Sequence, residues 1–185
     1  MADLVQSFRF RVRLVLSTAP GASLKPPPEL KGHASRALGR PGAGGGPAQL
    51  GDGGFQEVSG LDVESDVHEY AEGGRNDGLL RRVGRAKVAP LVLKRGVLTT
   101  GTSGYADPAL WLWLQSVVSG QLPVARYDGT VEVLAPAGRL VTVRWTFSRA
   151  LPTKVTGPVL NARTGEVAVE ELHLSHEGLR MEATR

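Results

Sequence analysis

GFQEVSGLDVESDVHEY (Gly54–Tyr70) and the stretch EGGRNDGLLRRVGRAK (Glu72–Lys87) that follows it sort their charge into two adjacent blocks. The first carries Glu57, Asp62, Glu64, Asp66 and Glu69, with Glu72 at the join, and neither Lys nor Arg. The second carries Arg75, Arg81, Arg82, Arg85 and Lys87 against Asp77 alone. Leu61, Val63, Val67 and Tyr70 are spread among the acids, so residues 55–58 and 61–70 read as strands hinged at Ser59 and Gly60. Gly73, Gly74, Gly78 and Gly84 articulate the basic block, which reads as a long loop between strands. Unlike patches side by side on one chain attract a second copy stacked head to tail, because opposite charges meet and like charges do not. The expectation is a contact loop of Glu72, Arg75, Arg81, Arg82, Arg85 and Lys87 docking on an acidic counter-surface of Glu57, Asp62, Glu64, Asp66 and Glu69. That pattern points to assembly and away from catalysis.

The strands nearest this stretch set the fold class. Phe8, Phe10, Val12, Leu14 and Leu16 alternate with Arg9, Arg11, Arg13, Val15 and Ser17, a period of two that puts one face on a core and three arginines on the other. Between Pro20 and Asp52 the composition turns to Pro, Gly and Ala, with six prolines and eight glycines and no periodicity, and reads as an inserted loop. Val88–Lys94 is a short strand, and Gly96 to Asp107 a loop. Asp107 and Pro108 signal a helix start; Leu110, Trp111, Trp113, Leu114, Val117 and Val118 then recur at helical spacing until Gly120. Val124–Leu134 and Arg139–Ala150 flank APAG as a hairpin, Val155–Leu160 follows Pro152, and a last strand runs from Glu166 to about His176, with Gly178 and Leu179 beyond it. Seven or eight strands and one helix predict a mainly β protein, a β-sandwich or split β-barrel with one flanking α-helix.

Bulk composition bounds the rest. With 185 residues, 41% of them hydrophobic, the chain suits one domain spanning 1–185, the Gly/Pro-rich insertion at 20–52 included. Its net charge of +4 arises from 22 basic and 18 acidic residues, which is a mixed surface and not a polycation. Without cysteine, disulfides, thiolate metal sites and thiol catalysis are excluded. Arg9, Arg11 and Arg13 interrupt any signal-like apolar run at the N-terminus, and no stretch reaches the ~18 apolar residues of a membrane helix, so the expectation is a soluble protein made in the cytoplasm with no membrane anchor.

The tests for chemistry return ordinary readings. His173 and His176 lie three apart on a strand and point to opposite faces, so they cannot share a metal; His33 lies in the insertion and His68 in mid-strand. Carboxylate pairs such as Glu170 with Glu171 and Asp62 with Glu64 are what wet strand faces carry. GTSG (Gly101–Gly104) is not a nucleophile elbow, and GAGGGPAQLGDGG has neither the strand nor the helix that a phosphate cradle needs. No enzyme activity, no cofactor and no metal are expected.

Taken in order, FRFRV, GFQEVSGLDVESDVHEYAEGG, LVLKRGV, LWLWLQSVVSG, VRWTFSRALPTKVTGPVLNA and EVAVEELHLSHEGL resemble the tail tube protein family of contractile phage tails and of extracellular contractile injection systems. The resemblance covers nearly the whole chain outside 20–52. It implies hexameric rings stacked into a hollow inner tube, with a surrounding sheath protein, baseplate and terminator proteins as partners, protein cargo or DNA in the lumen, and residence in a phage-tail-like particle. It also implies that the loop from Glu72 to Lys87 is the one that reaches a neighbour in the stack. Three alternatives stand beside it: a secreted hexameric tube protein of the type VI kind, a nucleic-acid-binding β-barrel module, and a small-ligand protein or enzyme on a β-barrel.

Overall fold

The computed structural model describes residues 9–17, 49–50, 54–74, 78–100, 105–136, 140–163 and 165–183. Along them run β1 (Phe10–Leu16), β2 (Gln49–Leu50), β3 (Phe55–Ser59), β4 (Val63–Tyr70), β5 (Leu80–Val88), β6 (Leu91–Gly96), β7 (Thr99–Thr100), β8 (Tyr105–Ala106), α1 (Ala109–Val118), β9 (Tyr127–Leu134), β10 (Val141–Thr156), β11 (Val169–Ser175) and β12 (Gly178–Ala183). The protein is mainly β with a helix on one side, as the alternation predicts.

Strand β10 organises the molecule because it belongs to two sheets. Its first half pairs with β9 on one side and β12 on the other; its second half pairs with β11. Leu151 lies opposite Ser175 and Ser148 opposite Gly178, so β11 and β12 are one strand in continuous register, interrupted only at His176 and Glu177. The first sheet is thus β2-β1-β9-β10-β12 and the second β10-β11-β6-β3. The bend in β10 falls at Arg149, whose φ of 53° is a left-handed conformation that costs a non-glycine residue about 1–3 kcal/mol. Local polar bonds hold it there. Arg149 donates its N–H to Asp128 Oδ1 at 2.8 Å, while Glu177 accepts from Arg149 Nε and Arg126 Nη1, each at 2.8 Å.

Both sheets turn apolar faces to one core. Val12, Leu14, Leu50, Val131 and Phe147 come from the first, Leu91, Leu93, Val155, Leu172 and Leu174 from the second, and Ala109, Leu110 and Trp113 from α1. The Trp113 ring meets Tyr127 edge-on at 4.6 Å and donates its indole N–H to the Ala125 carbonyl at 2.9 Å. Burial pushes the Tyr127 hydroxyl up to about 12. Gly129 sits directly under the Phe147 ring, where a Cβ would lie 2.0 Å from a ring carbon, so only glycine permits that packing.

Five expectations are corrected. Leu80–Val88 is a strand paired with β4 and not a loop: the basic block tolerates extended structure because Leu80, Val83 and Val88 pair with Tyr70, Val67 and Val63. Pro152 does not end a strand; it lies buried inside β10 at a register shift, where the ladder requires no N–H from it. Gly178 and Leu179 open a full strand, β12, that completes the first sheet. Gln49–Leu50, inside the inserted segment, pairs with β1 and buries Leu50 in the core, and the loop from Gly96 to Asp107 contains the short β7–β8 pair. His33, GTSG and most of the 20–52 insertion lie outside the described residues.

Candidate assembly surfaces

The hairpin β4–β5 forms a two-stranded sheet of its own. Its register makes it amphipathic. Val63 faces Val88, Ser65 faces Ala86, Val67 faces Val83 and Glu69 faces Arg81 on one side; Glu64 faces Lys87, His68 faces Arg82 and Tyr70 faces Leu80 on the other. A bulge opposite Asp66, occupied by Gly84 and Arg85, keeps these two sets apart, and a Cβ at Gly84 would meet the His68 ring at 2.9 Å. On the apolar side Val83 is 85% exposed, Val63 60% and Val67 58%. A two-stranded hairpin is marginal alone in water, and this one offers an uncovered valine face.

The charge blocks of the sequence become the two strands of this arm, and they pair with each other. Arg81 lies 3.2 Å from Glu69, Lys87 lies 2.6 Å from Asp66, and the Arg82 guanidinium sits 5.7 Å from the centroid of the Tyr70 ring. Glu64, Glu72 and Arg85 make no ion pair among the described residues, and Arg75 lies outside them. Asp62 is at the root of the arm, where its carbonyl accepts the Ala89 N–H at 3.3 Å. Glu57 is not on the arm: it lies on β3 and binds Lys94 at 3.1 Å, with Glu171 on the other side of that ammonium at 3.6 Å. The hydrogen bond and charge of Glu57 raise the Lys94 pKa. At the same root, Gly60 adopts φ +84° with its Cα against the Pro90 carbonyl, so close that a Cβ would lie 2.1 Å from that oxygen.

A second surface is the polar face of the first sheet. Cross-strand register lays out a row Arg11, Glu132, Arg144, Glu182 and beside it a row Arg13, Thr130, Thr146, Arg180. Glu132, 4% exposed, accepts from Arg11 Nε at 3.0 Å and Nη2 at 2.5 Å, and from Arg144 Nε at 3.0 Å and Nη2 at 2.8 Å. Burial pushes its carboxyl up, but the bonds and charge of Arg11 and Arg144 outweigh that and hold it below the ordinary value. This face forms a trough of ≈ 720 Å³. The sequence marked Arg11 and Arg144 as polar-face residues and gave no sign that they converge on one buried carboxylate, since Arg11 is 121 residues from Glu132 and the hairpin register that brings Arg144 opposite it contains a shift.

Buried polar bonds fix these surfaces to the scaffold. Arg95, fully buried, donates Nε to Glu170 Oε1 at 2.7 Å and Nη2 to Asp107 Oδ2 at 3.3 Å; Glu170 Oε2 accepts the Trp111 indole N–H at 3.2 Å. Asp107 Oδ1 accepts the Ala109 N–H at 3.1 Å, so the expected cap residue acts from one position before the N-cap, which Pro108 occupies, and ties α1 to the second sheet. The His176 ring nitrogens lie 3.1 Å from the carbonyls of Gly178 and Ala89, joining the β11–β12 break to the root of the arm. His173 lies on β11 and its Nε2 is 3.6 Å from Glu171. Among the described residues no three His, Asp or Glu side chains gather as a metal-holding group, and no helix is long and apolar enough to cross a membrane.

Among the described residues the first sheet ends at β12 on one side and β2 on the other, and the β4–β5 arm is a separate two-stranded sheet. The family model of the T4-like virus tail tube protein gp19 matches residues 6–180, and the chain belongs to that family: it is a tail tube protein. No curated protein matches the sequence. Among solved structures, a chain of the anti-feeding prophage (AFP) baseplate is similar at 23% identity over 99% of this chain and 98% of that one, with a TM-score of 0.68. Chains from the extended-state sheath/tube terminator and sheath–tube complex of the extracellular contractile injection system PVC are also 23% identical. The first covers 98% of this chain and 99% of its own at TM-score 0.66, the second 98% and 93% at 0.64.

Proposed function

We propose that the chain closes into hexameric rings that stack into a hollow inner tube, a conduit that carries no catalytic residue and works by rigidity alone. The observation that carries this reading is the amphipathic arm: its valine face has no cover within the described chain, while Arg81 and Lys87 are already paired with Glu69 and Asp66 inside the arm. A neighbouring copy supplies that cover. Burying one of these valines on a partner contributes about 1.5–3 kcal/mol, whereas the exposed ion pairs Glu69–Arg81 and Asp66–Lys87 contribute about 0–1 kcal/mol each. The assigned contact residues Glu72, Arg75, Arg81, Arg82, Arg85 and Lys87 then steer the arm toward the next ring. The acidic counter-surface narrows to Asp62 and Glu64, since Glu57, Asp66 and Glu69 already hold a cation.

Within a ring, the edge of β12 in one copy meets the β1–β2 edge of the next, which removes the unpaired backbone that either edge leaves exposed. The polar face of the first sheet becomes the lumen wall, and α1 lies on the outside, toward a sheath. Relatives of this fold come from a baseplate, a sheath–tube complex and a sheath/tube terminator, and these support sheath, baseplate and terminator proteins as the partners. The protein is made in the cytoplasm and built into a phage-tail-like particle, with protein or DNA passing through the lumen. Negative-stain imaging of the purified protein tests this directly. Rings or tubes are expected for the wild-type chain; single chains at every concentration and salt would overturn the reading.

A further inference from the structure

Among the charged side chains of the trough on the first sheet, the two signs are not in the same state. Its carboxylates are engaged: Glu132 with Arg11 and Arg144, Glu182 with Arg144 at 3.6 Å, Glu177 with Arg126 and Arg149, and Asp128 with the Arg149 N–H. Arg13 and Arg180, which also line it, make no hydrogen bond or ion pair among the described residues. They stand at opposite ends of one cross-strand row, with the hydroxyl side chains of Thr130 and Thr146 between them. Three strand spacings separate their backbones by about 14 Å. The available charge of this face is therefore two cations whose backbones lie about 14 Å apart, with two hydroxyl groups between them.

We propose that Arg13, Thr130, Thr146 and Arg180 form a binding row for the carboxylates of an acidic protein segment, the cargo-facing site of the lumen wall. This rests on the reading of that face as lumen. Each guanidinium presents paired N–H donors that match a carboxylate, and two carboxylates four residues apart on an extended segment lie about 13 Å from each other, close to the arginine separation. A nucleic acid fits worse. Its phosphates form a continuous line, one charge per about 1.7 Å of duplex axis, and here it would also run over the fixed carboxylates of Glu132, Glu182 and Asp128 on the neighbouring rows. Spaced negative charge passes between those groups, and continuous negative charge does not.

The test measures binding at low salt to the full-length chain and, separately, to assembled tubes. The probes are a fluorescent Gly/Ser peptide with a glutamate at every fourth position and an oligothymidylate of equal formal charge. The wild-type chain is expected to bind the peptide more tightly than the oligothymidylate. The double substitution Arg13→Gln, Arg180→Gln is expected to weaken peptide binding roughly tenfold or more, with Lys154→Gln unchanged as a control on the second sheet. Because neither arginine is held within the fold, the double variant is expected to keep its urea midpoint. Equal peptide affinity in wild type and double variant, no peptide binding, or tighter binding of the oligothymidylate would each overturn the proposal. A chain that binds the peptide as expected and yet forms no tubes would keep the binding row and remove the lumen reading, so the two failures are distinguishable.

Discussion

Gly129 and Glu132 lie three residues apart on β9 and show what a single side chain decides. At Gly129 the absence of a Cβ admits the Phe147 ring; Gly129→Ala is expected to destabilise the protein by about 1–3 kcal/mol through overpacking, read as a lower urea midpoint. Glu132 carries the opposite lesson, a carboxylate retained because two guanidiniums surround it. Its folded pKa lies below the ordinary 4.5, so the folded state favours the ionised form. The resulting stabilisation is fully present above that ordinary value and is lost as pH falls through the depressed one. Thermal unfolding of wild type and Glu132→Gln should therefore differ most near neutral pH and converge as the solution is acidified below about 4.5. A gap that stays constant down to pH 3 would contradict the assignment. The alternation TVEV in β9 made residue 132 look like any wet-face acid, because period two reports which face a residue takes and not what waits there.

At the scale of elements, the arm and the helix clamp behave differently. Val67→Asp with Val83→Asp places charge on the valine face of β4–β5 without touching the core, so the variant is expected to unfold at the wild-type urea concentration and to form no tubes on negative stain. Arg81→Glu with Arg82→Glu and Arg85→Glu turns the Glu69–Arg81 attraction into repulsion and is expected to weaken assembly less than the valine changes do. The reverse order of severity would restore electrostatics as the principal contact. Around α1, Arg95→Met leaves the buried Glu170 and the part-buried Asp107 without their cation, at an expected cost of about 3–5 kcal/mol in urea unfolding. The existence of β1, β3, β4 and α1 was legible from periodicity and from the Asp107–Pro108 signal. Strand β5 was not, because its glycines and arginines imitate a loop until β4 lies alongside. Nor was the length of β10: Pro152 imitates a terminator, and only a register shift against β11 accommodates it.

For the whole molecule, the exposed valine face of the arm sets the expected response to salt. Raising ionic strength to about 0.15 M shortens the screening length to about 8 Å, which weakens contacts between exposed charges and leaves apolar burial intact. Tubes of the wild-type chain are expected to persist across that range in sedimentation; complete dissolution at physiological salt would mean that the charge blocks and not the valines hold the layers together.

Unaided, the sequence determined that the chain is mainly β, that its first strand has one wet and one dry face, where helix α1 begins, and which family's ordered motifs it shares. These are local properties, fixed by the spacing of side chains along a backbone whose period is two or 3.6. The tertiary structure alone decided that the acidic and basic blocks are partners within one arm, that β10 serves two sheets, and that Arg11 and Arg144 meet at Glu132. Each of those depends on which segments hydrogen-bond side by side and in which register, and a bulge or a slip of one residue changes which side chains meet, information that the period within a single strand does not contain.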